Sequence, residues 1–550
     1  MNLTKQFLVA AVGVAISAST GLAQQASARP TSLQRAGDTL AFVNVNVIPM
    51  DREGILPAQT VLITSGRIAA IGASANVRVP KNATRVDGHN RLFILPGLAD
   101  MHAHIRYESD LALLLANGVT TVRNMGGTPF HLDLRRRVAD GTLLGPRILT
   151  TGPVLRGEPT SGATPAGARA LVDSEAAAGY DFIKVYDGLP KDSYEAAVAA
   201  AAAHHLPVAG HVPRAVGVFG ALGAHQASIE HAEQIVYRHF GSVLDTAGLP
   251  VVARAIVDAH TYVTPTLATI HSLQLQWEHP DSVLARPEIK YVDPETYAWW
   301  HTDPGHNSAA NRAFEPFLQQ MVRVFRDSGV RMLAGTDYYL FGLTPGFGLH
   351  RELQALVEAG LTPFQALETA TRNPIEFLGE ANDGGTVAAG KVANLLVLDA
   401  NPLVDIRNAT HRAGIVLRGR WLPATTLERW LDSLSASFAA EDRLVDDLLA
   451  PGGGAKLRTR QDSIPPFQRS TLELVADALL SAKRFDDAVG VCELLARRYD
   501  SAPGSFRRLG DAYAGAGKND DAIRAYETAL RLGAQMRDAI QKKIERLRSP

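Results

Sequence analysis

Two histidines one residue apart, His102 and His104, close the apolar run of "ILPGLADMHAHIRY", Ile94 to Tyr107, with Asp100 just before them. Side chains on a β-strand alternate faces, so residues two apart point the same way and two imidazoles can converge on one point. That is a metal-ligand geometry, since neutral imidazole is a common ligand for zinc-like ions. Metal-type side chains recur at the ends of later apolar runs: Lys184 in "DFIKVYDG", His211 in "VAGHV", His231 in "SIEHAE" and Asp337 in "LAGTDYY". Each stands at the C-terminal end of a strand-like stretch, where enzymes built on parallel barrels assemble their sites. Singly, each has a bland reading: a turn cap after Gly210 for His211, a core imidazole for His231, a surface cation for Lys184. Lys184, however, is flanked by Phe182, Ile183 and Val185, and a buried lysine without a partner is costly. Asp100 shares the face of His102 and could orient a ligand or accept backbone hydrogen bonds. His204, His205 and His225 lack the strand-end context and stay unassigned.

Such a constellation needs a scaffold, and the chain is long enough for more than one. It has 550 residues, 46% of them hydrophobic, so it can build a large core and additional units. "LAFVNVNVIPM" and "TVLITSGRIAAIG" alternate, with Ser65-Gly66 as a turn between strands. The texture returns in "GTVAAGKVANLLVLDA" and "RAGIVLRGRWL". Residues 38–93 and 384–425 are therefore expected to form one composite β-sandwich. Between them, over 94–383, short apolar runs alternate with helix-like stretches, the pattern of a parallel sheet; its length suits a (β/α)8 barrel inserted in the sandwich. A charged helix and a Gly/Pro-rich linker fill 426–468. Beyond, over 469–550, a 34-residue spacing separates Ala488 from Ala522, Cys492 from Tyr526, Val475 from Leu509 and Asp487 from Asp521. That period, with "FRRLGDAY" and "AIRAYETAL", resembles the tetratricopeptide repeat, giving an all-α C-terminal region. Two repeats and a last helix over Met536–Leu547 are too few to stand alone, so docking on the rest of the chain, self-association or a protein partner is expected.

The start, "MNLTKQFLVAAVGVAISASTGLAQQASA", has one lysine, an apolar stretch from Phe7 to Ala18 and small residues beyond. Residues 1–28 read as a secretory signal, so the expected location is a bacterial periplasm or the exterior. The stretch is shorter than the ~20 residues of a spanning helix, so no membrane span is expected after cleavage. The one cysteine, Cys492, leaves no intrachain disulfide. A net charge of -1, with no dense run of cations, argues against a nucleic-acid surface. A small-molecule substrate is the expected partner.

"PGLADMHAHI", "FIKVYD", "GHV", "IEHAE" and "AGTD", in that order, resemble the amidohydrolase superfamily, in particular its imidazolonepropionase-like and Xaa-Pro dipeptidase-like members, over roughly 38–425. The resemblance implies two divalent metals, zinc being expected. His102, His104 and Asp337 would hold one, His211 and His231 the other. Lys184 would bridge them after carboxylation by CO2, because an ammonium would repel two cations whereas a carbamate offers two anionic oxygens. A metal-bridging hydroxide would then attack an amide carbonyl, with Asp337 taking its proton and passing it to the leaving nitrogen. Relatives often cleave dipeptides or N-acyl amino acids, whose carboxylate needs a cation or hydroxyl; Tyr186 and His350 are favoured over Arg106 and Arg214. The long segment Val236 to Asp327, with "YAWWHTDPGHN", has the length and aromatics of a lid. Asn124 and Asn394 stand where the family usually has acidic residues. Two rival readings stand beside this one: the same centre acting on a cyclic amide, lactone or phosphotriester, or a non-catalytic adaptor working through its C-terminal repeats.

Overall fold

The computed structural model describes residues 39–300, 308–457, 469–534 and 536–548. The expected signal at 1–28 and most of the Gly/Pro-rich linker lie outside the described residues. The chain divides into two compact units: a larger one within Thr31–Ile289 and His306–Asp432, and a smaller one within Lys290–Gly305 and Ser433–Pro550.

In the larger unit, strands β1 (Leu40–Val47), β2 (Leu56–Thr64), β3 (Arg67–Ala73), β4 (Thr84–Asp87) and β5 (Phe93–Pro96) come first. Ser65 and Gly66 both have positive φ, 52° and 78°, the conformation that lets a two-residue turn match strand twist. The parallel region follows, with β6 (Leu98–Ala103), β7 (Val119–Asn124), β8 (Arg147–Thr150), β9 (Ile183–Val185), β10 (Val208–Gly210), β11 (Ser228–Glu230) and β12 (Tyr262–Thr264). Then β13 (Leu395–Leu398), β14 (Arg412–Leu417) and β15 (Arg420–Pro423) return to the first group. Both flanks join in one eight-stranded sheet, ordered β15-β14-β13-β5-β1-β2-β3 with β4 on β1. The two flanks, expected as a composite β-sandwich, thus share one hydrogen-bonded sheet packed on a core of Leu40, Phe42, Val61, Ile94, Val397 and Val416.

Strands β6 to β8 pair in parallel, as do β9 to β12. Every residue of β6 and β7 is buried, as expected of parallel strands covered on both faces. Parallel bridges Thr151–Phe182 and Leu155–Val185 connect the first group to β9. Residues 332–336 run between β12 and β6: Leu333 N donates to Val263 O at 2.9 Å and Met101 N to Ala334 O at 2.9 Å. Gly335 is required there, since a Cβ would come within 2.7 Å of His102 Cβ and 2.6 Å of Thr264 Cγ2. Three helices matter below: α1 (Leu267–Glu278), α2 (Ser308–Ser328) and α3 (Phe347–Glu358).

The segment 236–327 is not one lid. It contains β12 and α1, which are structural, and its helix Pro294–Trp300 belongs to the smaller unit. The aromatics there pack a helix, with Trp300 buried. The smaller unit also holds the helices α4 (Arg469–Ser481), α5 (Phe485–Arg498), α6 (Pro503–Gly515), α7 (Asn519–Arg531) and α8 (Arg537–Arg548). Positions 34 residues apart play the same packing role: Ala488 and Ala522, Cys492 and Tyr526, and Val475 and Leu509 are all buried.

Candidate metal centre

The six metal-type residues of the sequence come from five places in the parallel region: the end of β6, where both His102 and His104 stand, the middle of β9, the residues just after β10 and β11, and the end of the segment that separates β12 from β6. Around Asp337 the geometry is tight. Its Oδ1 lies 2.9 Å from His104 Nε2 and 3.6 Å from His102 Nε2, and its Oδ2 3.9 Å from His231 Nε2. Ligand atoms of His102, His231 and Asp337 all lie within 4.8 Å of one another. The His211 ring is 4.8 Å from that of His231, centroid to centroid. Backbone conformation contributes: His231, Thr266 and Asp337 all have positive φ, 68°, 50° and 50°. Non-glycine residues pay about 1 kcal/mol or more for that, and such strain gathers at sites where it aims a side chain.

Each buried histidine has its Nδ1 engaged, which leaves Nε2 to face the centre. His102 Nδ1 is 2.8 Å from Glu230 Oε2, His211 Nδ1 2.8 Å from Asp187 Oδ1, and His231 Nδ1 2.9 Å from Thr266 Oγ1. Partners of this kind fix the tautomer and the ring orientation of metal-binding histidines. Burial, followed by the Lys184 charge, holds His102 well below the ordinary histidine range. Burial also pushes His211 down to about 4 and His231 to about 3, so these imidazoles are neutral at pH 7 and able to bind a metal. Burial opposes the charge on Asp337, but the His104 hydrogen bond and the neighbouring His231 outweigh it and hold the carboxylate at about 2. Lys184 is buried, and burial lowers its ammonium to about 8. That brings the free amine within reach at neutral pH, the form that reacts with CO2. The donor set, neutral Nε2 atoms around an ionised carboxylate with a depressed lysine nearby, fits divalent metal ions.

Several supporting residues carry no recognisable mark in the sequence. Glu230 and Arg123 are fully buried, with Arg123 Nη2 donating to Glu230 Oε1 at 2.6 Å and Arg123 Nε to Met101 O at 2.6 Å. Asp187 also pairs with Arg238 at 3.0 Å. Glu352, buried on α3, accepts from Ala268 N at 2.7 Å and so holds the start of α1 beside Thr266. Only adjacency to a ligand, as with Glu230 before His231, could have pointed to them. Asp100 accepts from His102 N and Thr336 N, both at 3.2 Å, and from Thr336 Oγ1 at 2.7 Å; it braces the backbone under the ligands.

The substrate-side expectations divide. Tyr186 stacks on His211 with ring centroids 4.0 Å apart, and the Arg156 guanidinium lies 4.5 Å from the Tyr186 ring. His350 is not part of the cluster: its Nε2 binds the carbonyl of Asn117, 3.0 Å away, just before β7 begins. It therefore contacts the chain entering β7, whereas the ligands lie at the exits of β6, β10 and β11. Arg106 lies over the Tyr339 ring at 4.7 Å, and Arg214 N donates to Asp187 O at 3.0 Å. Asn124 ties the loop after His104 to β8, accepting from Ile105 N at 2.9 Å and donating to Thr150 Oγ1 at 3.1 Å. Asn394 accepts from Arg418 N at 2.8 Å in the eight-stranded sheet, a structural task.

Comparison with known proteins agrees with this geometry. Residues 93–422 match the family described as "Amidohydrolase family". The chain is 24% identical over 436 residues to ochratoxinase of Aspergillus niger, a match covering 68% of this chain and 84% of the other. It is 25% identical over 397 residues to imidazolonepropionase of Klebsiella pneumoniae, covering 66% and 93%. Among solved structures, a bottromycin amidohydrolase aligns with a TM-score of 0.57 and 25% identity, covering 72% of this chain and 90% of that one. A Xaa-Pro dipeptidase with bound methionine aligns with a TM-score of 0.54 and 20% identity, covering 70% and 100%; at that identity the likeness concerns the fold.

Proposed function

Because the chain belongs to the amidohydrolase family and is a hydrolase of carbon–nitrogen bonds, we propose that it cleaves the amide bond of dipeptides or N-acyl amino acids at a two-metal centre. The observation that carries this reading is the convergence of His102, His104 and His231 Nε2 on the Asp337 carboxylate. His102, His104 and Asp337 would hold one ion, His211 and His231 the other, with Lys184 as a carbamate between them. Divalent ions bound there, with zinc expected, supply a water of lowered pKa and a polarised carbonyl.

The chain's own residues do the rest. Asp337, ionised at neutral pH, accepts a proton from the attacking water on its carboxylate and returns it to the leaving nitrogen, without which an amine leaves poorly. Glu230, Asp187 and Thr266 hold the imidazoles in orientation throughout. Tyr186 and Arg156 provide a hydroxyl and a cation for the substrate carboxylate.

The rest of the reading follows from the same source. The strands β6 to β12 with residues 332–336 are proposed as the eight strands of a (β/α)8 barrel over 94–383. On this reading 38–93 with 384–425 form its β unit, 426–468 a helix and linker, and 469–550 tetratricopeptide-like repeats that support self-association or a protein partner. Residues 1–28 direct export to the periplasm or beyond. Among the described residues no helix is long and apolar enough to cross a membrane.

A substrate panel tests the proposal: dipeptides and N-acyl amino acids, each beside its C-terminally amidated form. Hydrolysis of the free acids, with KM raised by amidation and by Arg156→Met, supports it. Equal turnover of amidated forms, or activity confined to lactones or phosphotriesters, overturns it.

A further inference from the structure

Away from the metal centre, α1, α2 and α3 enclose a cleft of about 260 Å3. Leu267, Ile270 and Leu318 make its apolar wall. Its charged groups are nearly all matched within the protein. His271 Nδ1 lies 3.0 Å from Glu315 Oε1, Arg351 pairs with the buried Glu288, and Glu358 accepts from Gln354 at 2.8 Å. Arg286 is the exception. Its guanidinium donates to the carbonyl of Gly342 at 3.3 Å, and among the described residues no carboxylate lies within ion-pair distance.

Among the described residues Arg286 makes no ion pair of its own, and the one carboxylate that acts on it, Glu288, is engaged by Arg351; a half-buried guanidinium beside an apolar wall is costly unless something pairs with it. Burial and the nearby Arg351, partly offset by the Glu288 charge, lower its pKa to about 10, so it stays cationic at pH 7. Its flat fork of donors matches a carboxylate in a bidentate pair. The volume is just under the roughly 300 Å3 at which pockets for drug-sized ligands begin, which suits one ring or a short branched chain. We propose that this cleft is a second binding site, taking a small monocarboxylate whose apolar body rests on Leu267, Ile270 and Leu318 while its carboxylate pairs with Arg286.

The site is separate from the metal centre, whose ligands do not line it, yet it shares supports with it. The residue just before α1, Thr266, holds His231, and Thr269 Oγ1 donates to Thr336 O at 3.0 Å, next to Asp337. Gly342, which receives Arg286, lies five residues beyond Asp337. An occupant would therefore touch two segments that position metal-centre side chains.

Calorimetric titration of the full chain with 3-phenylpropanoate tests the proposal, using the parent, Arg286→Met, Ala355→Trp to fill the cleft, and Lys184→Met to disable the metal centre. Saturable one-to-one binding in the parent and Lys184→Met, weakened about tenfold or more in Arg286→Met and Ala355→Trp, is the expected result. Binding that survives both cleft variants, binding lost only in Lys184→Met, or no binding in the parent overturns it. Circular dichroism of each variant identifies loss of fold, and if one cleft variant fails to fold the other decides.

Discussion

Asp187 shows most clearly how a side chain that binds no substrate sets the chemistry of one that acts. It accepts from His211 Nδ1 and is itself held by Arg238, so the ring presents Nε2. Asp187→Asn keeps the shape and removes the charge; we expect metal affinity to fall about 10- to 100-fold, measured by competition with a chromophoric chelator. Unchanged affinity would mean that His211 does not bind metal. The cluster of His102, His231 and Asp337 was legible because histidine and aspartate at the ends of apolar runs are rare without a reason. Glu230, Arg123 and Glu352 were not, because a buried charge is marked by its partner and the partners are distant in sequence. His350 misled for the same reason: a histidine at the start of an amphipathic helix gives no sign of which end of the strands it faces.

At the scale of elements, the parallel strands are tied together by charge as well as by packing. Arg123 on β7 reaches Glu230 on β11, both fully buried. Removing the cation strands a buried carboxylate, so Arg123→Met should cost about 3–5 kcal/mol of stability, read from urea denaturation; a loss below about 1 kcal/mol would contradict the pair's role. Glu175, on the helix Pro165–Ala178, behaves oppositely. Burial raises its pKa from 4.5 to about 8, so between those values the unfolded chain releases a proton that the folded chain retains. Its contribution is therefore full below about pH 4.5 and declines as pH rises towards 8. Glu175→Gln should be more stable than the parent at about pH 8 and converge with it at about pH 5, again by urea midpoints. A gap of equal size at both pH values would refute this. Strand alternation and the Ser65-Gly66 turn were readable from local pattern, whereas the single sheet joining both flanks depends on β5 meeting β13 across some 300 residues, which no local pattern encodes. The expected lid failed because its length counted β12 and α1, elements whose apolar runs are core.

Taken whole, the molecule carries the candidate metal centre and the C-terminal helices in different compact units. Every residue of the candidate metal centre lies in the larger unit, while the residues spaced 34 apart, such as Ala488 and Ala522, lie in the smaller one. Within the smaller unit the helix Pro294–Trp300 packs on α4, so a chain ending at Asp432 should keep its metal but expose Tyr291 and Trp300 and self-associate. Size-exclusion chromatography with metal analysis checks this, and a soluble monomer without metal would contradict it. The central claim is a two-metal centre completed by Lys184. Its most direct test is elemental analysis of the purified parent and Lys184→Ala, both reconstituted with zinc and bicarbonate. About two metals per chain in the parent and clearly fewer in the variant is the predicted result; equal metal content in the two proteins, or none in either, would contradict it.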